Sequence, residues 1–156
     1  MSRIMIICEQ SVRIMVDQFD KELISLLEQD ARQSSEKLAG QLSASPSTVR
    51  RRISDLIKRK VIRVIAIPEP KQIGASLVAI VAFQVSHDKV SAFVATMGRR
   101  KDVKCLFVTS GRFDAIALMW FSSTEQLYDF MEREVGKIEG IKATETFVCL
   151  HTEKSF

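Results

Sequence analysis

The chain has 156 residues, of which 46% are hydrophobic, and a net charge of +4 at pH 7. This size allows one domain or two small ones around a real hydrophobic core and excludes a disordered tail. No apolar run is long enough to span a membrane, and the N-terminal run before Glu9 is too short for a signal peptide. We therefore expect a cytoplasmic protein with no membrane partner.

The sequence offers little that is typical of an enzyme or a metal protein. Its three cysteines (Cys8, Cys105 and Cys149) are far apart, without the Cys or Cys/His spacing of a zinc site. We interpret them as reduced, buried thiols. His87 and His151 lack the partners of a catalytic triad, and no glycine-rich phosphate-binding motif is present. We predict no catalytic residues, no metal and no cofactor.

The positive charge is concentrated in the first part of the chain. Residues 1–67 hold 12 basic and 8 acidic residues, whereas residues 68–156 hold 11 of each. Seven basic residues and one acid lie between positions 50 and 63. Such a local field favours phosphate groups, which points to nucleic acid, although a solvated basic face is the simpler alternative.

Residues 17–62 show three short helical patterns. Asp17 and Ser34 are suitable N-caps for the first two, and Ser45 precedes Pro46 at the start of the third. The last two are separated by a four-residue connection, which is typical of a helix-turn-helix. The first helix is expected to pack across both and complete a three-helix core.

The third pattern, residues 45–58, directs basic side chains outward. Val49, Ile53 and Leu56 fall on one helical face. The arginines that follow Val49 step by about 100° each, so at least two must point away from the core. Hydroxyls at a helix start suit phosphates and base edges, and arginine binds guanine with two hydrogen bonds. The candidate DNA-binding residues are Ser45, Ser47, Thr48, Arg50, Arg51, Arg52 and Lys58, although Arg52 also suits a structural ion pair.

A change of composition divides the chain. Residues 61–67 (VIRVIAI) are strand-like, and Pro68-Glu69-Pro70 follows as a stiff linker. The predicted organisation is an N-terminal extension at 1–15, a helix-turn-helix domain at 16–62, a strand and linker at 63–75, and a second domain at 76–156.

The second domain shows a repeated strand–helix–strand pattern. Strands are predicted at 76–86, 102–109, 113–121 and 141–151, with helices at 88–98 and 123–135. This βαββαβ order is that of ferredoxin-like folds, so the fold class is α+β.

The predicted strands are apolar on both sides, above all at 113–121 and 77–83. Two helices cover only one face of a four-stranded sheet, so the other face needs a second cover. A second copy of the chain is the simplest one, which predicts a face-to-face homodimer. The alternative is packing against the chain's own N-terminal domain.

Short motifs spread over residues 16–153 share the pattern of one family. They are Val16-Asp17-Gln18-Phe19-Asp20, Asp30-Ala31-Arg32, Ser45-Pro46-Ser47-Thr48-Val49 with Arg52-Ile53, Gly111-Arg112-Phe113-Asp114, and Ile138-Glu139-Gly140-Ile141 with Thr144-Glu145-Thr146. On these motifs the chain resembles the Lrp/AsnC, or feast/famine, transcriptional regulators.

The resemblance implies a fold and a function. The fold would be a winged helix-turn-helix domain linked to a ligand-binding and oligomerisation (RAM) domain. The function would be sequence-specific transcriptional regulation in response to a small molecule, for which we expect an amino acid. The implied partners are double-stranded DNA with a roughly palindromic operator and further copies of the chain, as a dimer, tetramer or octamer.

The loop at Gly111 is, on local grounds, only a tight turn. The resemblance implies that it lies at contacts between dimers and helps to hold the effector. The candidate effector-binding residues are Ser110, Gly111, Arg112, Phe113, Asp114, Thr144 and Thr146.

Three positions depart from the family pattern. Ser43 and Lys60 stand where the family has glycine, and Ala44 stands where it has a larger apolar residue. We expect the helix that ends before Lys60 to lack a relaxed left-handed residue, at a cost of about 1 kcal/mol.

Two other functions stay open. Some tetrapyrrole-pathway decarboxylases have the same two-domain architecture, but their chemistry needs a polar cluster that these apolar strands do not offer. An architectural protein that binds DNA with low specificity would also carry a basic helix.

Overall fold

Three helices form the first part of the structure: α1 (Gln18–Gln29), α2 (Ser35–Gln41) and α3 (Pro46–Lys58). The structure is a computed structural model that describes residues 16–152, so the predicted extension at 1–15 lies outside the described residues. The side chains of Asp17, Ser34 and Ser45 each accept a hydrogen bond from the backbone N–H three residues on, at 2.8 to 3.2 Å. All three predicted N-caps are therefore confirmed.

The three helices enclose a small apolar core. Leu23 of α1, Leu38 of α2, and Val49 and Leu56 of α3 are fully or almost fully buried. Ile53 packs against this cluster. The apolar stripe predicted for the third helix is thus its buried face.

Lys60 and Ser43 both adopt left-handed backbone conformations, with φ angles of 57° and 49°. At the end of α3, the N–H of Val61 donates to Leu56 O at 2.9 Å and the N–H of Lys60 donates to Ile57 O at 3.0 Å. This pair of hydrogen bonds defines a Schellman cap. The helix end thus has no relaxed left-handed residue, as expected, because Lys60, which carries a Cβ atom, takes that conformation in place of a glycine.

Residues 62–69 contain no helix or strand, so the strand predicted at 61–67, and with it the wing, is not formed. Val64, Ile65 and Ile67 are exposed. A strand requires a hydrogen-bonded neighbour, and none is present for this segment among the described residues. The linker continues into a short 3-10 helix, Pro70–Ile73, which ends at Gly74 with a φ of 79°.

The chain divides into two units, with the boundary between Ala66 and Ile67. The second unit contains the elements β1 (Leu77–Val85), α4 (Val90–Met97), β2 (Val103–Val108), β3 (Ala115–Phe121), α5 (Thr124–Asp129) and β4 (Ile141–Val148). This is the predicted βαββαβ order. The helix expected at 123–135 is divided, because α5 passes into a π-helical turn at Phe130–Glu134 and a 3-10 turn at Val135–Lys137.

The four strands form an antiparallel sheet in the order β2-β3-β1-β4. One face packs on the helices. Its buried residues include Val81, Phe83, Ala117 and Met119. The ring of Phe83 lies 5.0 Å from that of Phe93 on α4. The α+β class and the ferredoxin-like layout of this unit are therefore confirmed.

The other sheet face, which we call the open face, carries apolar side chains. Ile80 pairs with Leu118 on one side and with Phe147 on the other, and Phe107 pairs with Ile116. Phe107 is 57% exposed, Phe147 50% and Ile80 37%. Both sides of this sheet are thus apolar, as the strand patterns predicted.

Two smaller observations complete the fold. Cys105 and Cys149 are free thiols, as predicted, but they are partly exposed and not buried; Cys8 lies outside the described residues. Among residues 16–152, no helix has both the length and the apolar composition that a membrane crossing requires.

Candidate nucleic-acid interface and effector loop

The outward face of α3 is polar and basic. With about 100° per residue, Ser47, Arg51, Ser54 and Lys58 lie opposite the buried stripe that includes Val49. Ser47, Arg51 and Lys58 are exposed, and Arg50 is exposed beside them. One side of α3 thus packs on the core, and the other side exposes hydrogen-bond donors to solvent.

The N-terminal end of α3 carries a cluster of hydroxyls. Ser45 Oγ lies 2.9 Å from Ser47 Oγ and 2.8 Å from Thr48 Oγ1. The same Oγ accepts the hydrogen bond from Thr48 N that caps the helix. These three candidate residues are therefore held together where a recognition helix meets base edges.

The outward arginines contact carboxylates of the same chain. Arg50 Nη1 lies 3.1 Å from Glu36 Oε1, and both side chains are more than half exposed. Arg51 Nη1 lies 3.9 Å from Asp55 Oδ2, one helical turn further on. The pKa of Glu36 is lowered by hydrogen bonds from its own backbone N–H and from Ser34, and by Arg50. Glu36 is therefore ionised near neutral pH.

Arg52 points toward α1 rather than outward. Its Nη1 lies 2.7 Å from Asp17 Oδ2 and 3.2 Å from Asp20 Oδ1, and its guanidinium lies 5.5 Å from the centre of the Phe19 ring. Asp20 is only 1% exposed. The hydrogen bond that Arg52 donates to Asp17 is the main cause of the raised pKa of Arg52. This geometry gives Arg52 a structural role.

Sequence reasoning missed three residues of this surface. Glu36 contacts Arg50 from α2, fourteen positions away, so only the packing of the helices reveals it. Asp55 and Ser54 lie on α3, and the helical period could have placed both beside Arg51.

The loop at Gly111 connects β2 to β3 and is hydrogen-bonded to residues of β1. Asp114 Oδ2 accepts a hydrogen bond from Val85 N at 2.8 Å, and Asp114 N donates to Phe83 O at 2.9 Å. Gln84 Nε2 donates to the carbonyl oxygen of Arg112 at 2.9 Å. One carboxylate oxygen of Asp114 therefore links this loop to the end of β1.

The outer part of the same loop is accessible. Ser110, Gly111 and Arg112 are exposed, and Gly111 has a φ of 140°. The guanidinium of Arg112 lies 5.1 Å from the centre of the Phe113 ring and 3.6 Å from Glu145 on β4. An aromatic ring and a cation therefore stand together at one end of the sheet.

Thr144 and Thr146 lie apart from this group. They pair with the buried residues Phe83 and Val81, which places them on the helix-covered face of the sheet. Thr146 Oγ1 contacts Met131 Sδ at 3.8 Å. Glu145 is the β4 residue that lies beside the loop. The strand register gives it this position, which the sequence motif alone does not indicate.

Comparisons with known proteins match both units. A family model described as the AsnC-type helix-turn-helix domain matches residues 16–57, and one described as the Lrp/AsnC ligand binding domain matches residues 78–156. The chain belongs to the Lrp/AsnC family. This family consists of transcriptional regulators, so this chain is a DNA-binding regulator and not a decarboxylase-like enzyme.

Relatives of similar length support the assignment. A helix-turn-helix transcriptional regulator of Pyrococcus furiosus is 32% identical over 90% of this chain and 95% of its own. The regulator LrpA of Pyrococcus abyssi is 31% identical over 86% of this chain and 94% of its own.

Solved structures show the same fold. A transcriptional regulator of Neisseria meningitidis, in complex with L-Met, has a TM-score of 0.81 at 19% identity, with 90% of this chain and 94% of that one covered. AsnC of E. coli has a TM-score of 0.78 at 22% identity, with 91% and 97% covered. A feast or famine regulatory protein of M. tuberculosis, complexed with L-methionine, has a TM-score of 0.78 at 24% identity, with 90% and 96% covered.

Proposed function

We propose that this regulator reads a specific DNA sequence with α3 in the major groove. The observation that carries the proposal is the outward face of α3, where a hydroxyl cluster and two arginines lie on the other side of the helix from its buried apolar stripe. Ser45, Ser47 and Thr48 are placed for phosphates and base edges, and Arg50 and Arg51 for guanine. Lys58, at the far end of the helix, suits the phosphate backbone.

The test is a gel-shift titration with Arg51→Ala. We expect its affinity for a selected operator to fall by about 5- to 150-fold, the range for loss of one good base contact. Lys21→Ala is the matched control, because it removes one positive charge from α1 in the same unit. An equal loss in both variants would show that only net charge matters. Sedimentation of the variants should show an unchanged oligomer.

We further propose that a small-molecule effector, an amino acid, binds at the Gly111 loop. The exposed backbone of the loop and the adjacent Arg112 and Phe113 offer groups for a charged end and an apolar side chain. Two structural neighbours were solved with L-methionine, which makes that amino acid the first probe. The effector would act through different affinities for two states of the assembly.

Phe113→Ala tests the effector site. In DNA titrations with and without L-methionine and the other amino acids, we expect the variant to lose the response of the wild type and keep its basal affinity. Tyr128→Ala is the control, because Tyr128 is an aromatic residue of α5 that is 62% exposed. If the Phe113 variant keeps the full response, the effector binds somewhere other than this loop.

We propose a homodimer joined through the open face, with tetramers and octamers as larger assemblies. Phe107, Phe147 and Ile80 give this face an exposed apolar surface that water would otherwise cover. A two-fold dimer would match a roughly palindromic operator whose half-sites are one or more helical turns apart. We place this assembly in the cytoplasm, where it meets DNA.

The rival is a low-specificity architectural role, which the basic α3 also favours. The ratio of specific to non-specific affinity at one stated salt concentration separates the two, because specific regulators reach about 10³ or more. A ratio near one would favour the architectural role.

A further inference from the structure

Each outward arginine of α3 has a carboxylate beside it in the free protein. Glu36 contacts Arg50 from the first turn of α2, at 3.1 Å, and Asp55 lies 3.9 Å from Arg51. The two acids belong to different helices, so the two pairs are separate observations. Neither acid is part of the core, because the side chains of Glu36 and Asp55 are 65% and 42% exposed.

A carboxylate in this position affects the two modes of DNA contact differently. Next to a phosphate it repels the DNA and competes for the arginine, because both anions bind the guanidinium in the same way. Next to a base edge it meets no full negative charge. A guanine also offers two acceptors to one guanidinium, a contact that discriminates by about 5- to 150-fold.

The strength of the pairs fits such a competition. An exposed ion pair shifts an equilibrium by less than about fivefold, so a correct base contact can outweigh it. A single phosphate contact contributes much less binding free energy than a correct base contact, because the nearby carboxylate repels the phosphate. The ion pairs are therefore strong enough to weaken phosphate contacts of the arginines, and weak enough to be replaced by a contact with the correct base.

We propose that Glu36 and Asp55 are specificity-determining residues, which disfavour contacts of Arg50 and Arg51 with phosphates relative to contacts with base edges. This inference rests on the proposed function of α3. It assigns the two acids a role in discrimination, in addition to the contacts made by the arginines.

The test compares Glu36→Gln with the wild type on two probes. One is a duplex recovered by the wild-type protein from a random-sequence library, and the other is poly(dI-dC). We expect the variant to bind poly(dI-dC) about three- to fivefold more tightly and the recovered duplex by a smaller factor, so the specificity ratio falls. The pair with Arg50 is lost for both probes, whereas repulsion between Glu36 and a phosphate is relieved only where Arg50 contacts the backbone. Asp55→Asn should act in the same direction, and more weakly, because its pair is longer.

The salt dependence of binding gives a second readout. If Arg50 is released to a phosphate, the slope of log affinity against log salt on poly(dI-dC) should become steeper by about one. Glu28→Gln is the matched control, because it changes the charge of α1 by the same amount on the same unit. It should leave both the ratio and the slope unchanged. Urea unfolding of each variant verifies that the fold is intact.

Each result has one meaning. An equal gain on both probes, or an equal effect of Glu28→Gln, would reduce the role of Glu36 to net charge and overturn the inference alone. An unchanged ratio would overturn it as well. If the wild type recovers no duplex that it prefers to poly(dI-dC), the proposed function fails, and this inference falls with it.

Discussion

Lys60 and Ser43 are held at positive φ although neither is glycine. A residue with a Cβ atom loses about 1 kcal/mol in this conformation, whereas glycine does not. The hydrogen bonds of the Schellman cap and the contact of Val61 with the core hold Lys60 there. The cost expected from the sequence is therefore backbone strain at Lys60.

Replacement of Lys60 by glycine should raise the free energy of unfolding of the helical unit by about 1 kcal/mol relative to Lys60→Ala. The alanine variant is the proper reference, because it removes the same charge and keeps a Cβ atom. Urea unfolding of both variants, followed by circular dichroism, measures the difference. Equal stabilities would contradict the left-handed assignment.

Asp17 should make the stability of the same unit depend on acid pH. The hydrogen bond from Asp20 N, and then the contact with Arg52, lower the pKa of Asp17 from its usual value of 3.8. A lowered pKa in the folded state stabilises the fold above the unfolded pKa, and this contribution is lost as the pH falls through the folded value. Asp17→Asn should therefore flatten the decline in stability below about pH 5. Denaturation of wild type and variant across that range measures the effect, and parallel curves would contradict it.

At the scale of elements, Arg52 joins α1 to α3. It connects α3 to α1 through ion pairs with Asp17 and the buried Asp20. Loss of the guanidinium leaves the carboxylate of Asp20 buried without its partner, which is costly. The exposed pair between Arg50 and Glu36 involves no such burial.

Arg52→Ala should therefore lower the free energy of unfolding by about 2 to 3 kcal/mol, compared with less than about 1 kcal/mol for Arg50→Ala. A double-mutant cycle with Asp20→Asn should give a coupling energy of at least about 1 kcal/mol. Equal losses for the two arginines would show that the inward contact contributes little.

The elements themselves were largely predictable from the sequence. N-caps and apolar stripes located α1 to α3, because both signals are local. The segment at 61–67 has the composition of a strand, but residues 16–152 offer it no neighbour to pair with, so it forms none. A pattern within one segment does not reveal whether a second strand is available.

The site was predictable only in part. The outward face of α3 follows from the helical period, which orders Ser47, Arg51 and Lys58. The contact of Glu36 with Arg50 depends on how two helices pack, and the position of Glu145 beside Arg112 depends on strand register. Register in β1 shifts at a bulge between Gln84 and Val85, which no sequence period indicates.

At the scale of the whole molecule, the open face is the feature that most needs a partner. Ile80 lies at its centre, paired with Leu118 and Phe147 on the two neighbouring strands. Ile80→Glu places a charge in this apolar surface and should convert a dimer to a monomer at micromolar concentration, because a buried unpaired charge is costly. Sedimentation equilibrium measures the change.

Glu125 of α5 provides the control for this experiment. Glu125→Gln alters the charge of an exposed helix outside the open face and should leave the oligomer unchanged. If the Ile80 variant sediments like the wild type, the copies are joined through another surface.

The capping of both ends of α3 also bears on the heat-capacity change when this regulator binds DNA. In the free protein, the hydroxyl cluster caps one end of the helix and the Schellman motif caps the other. The conformational entropy of ordering it is then lost during folding and not during association. The heat-capacity change of association should therefore match rigid surfaces that exclude water, without the larger value that accompanies coupled folding.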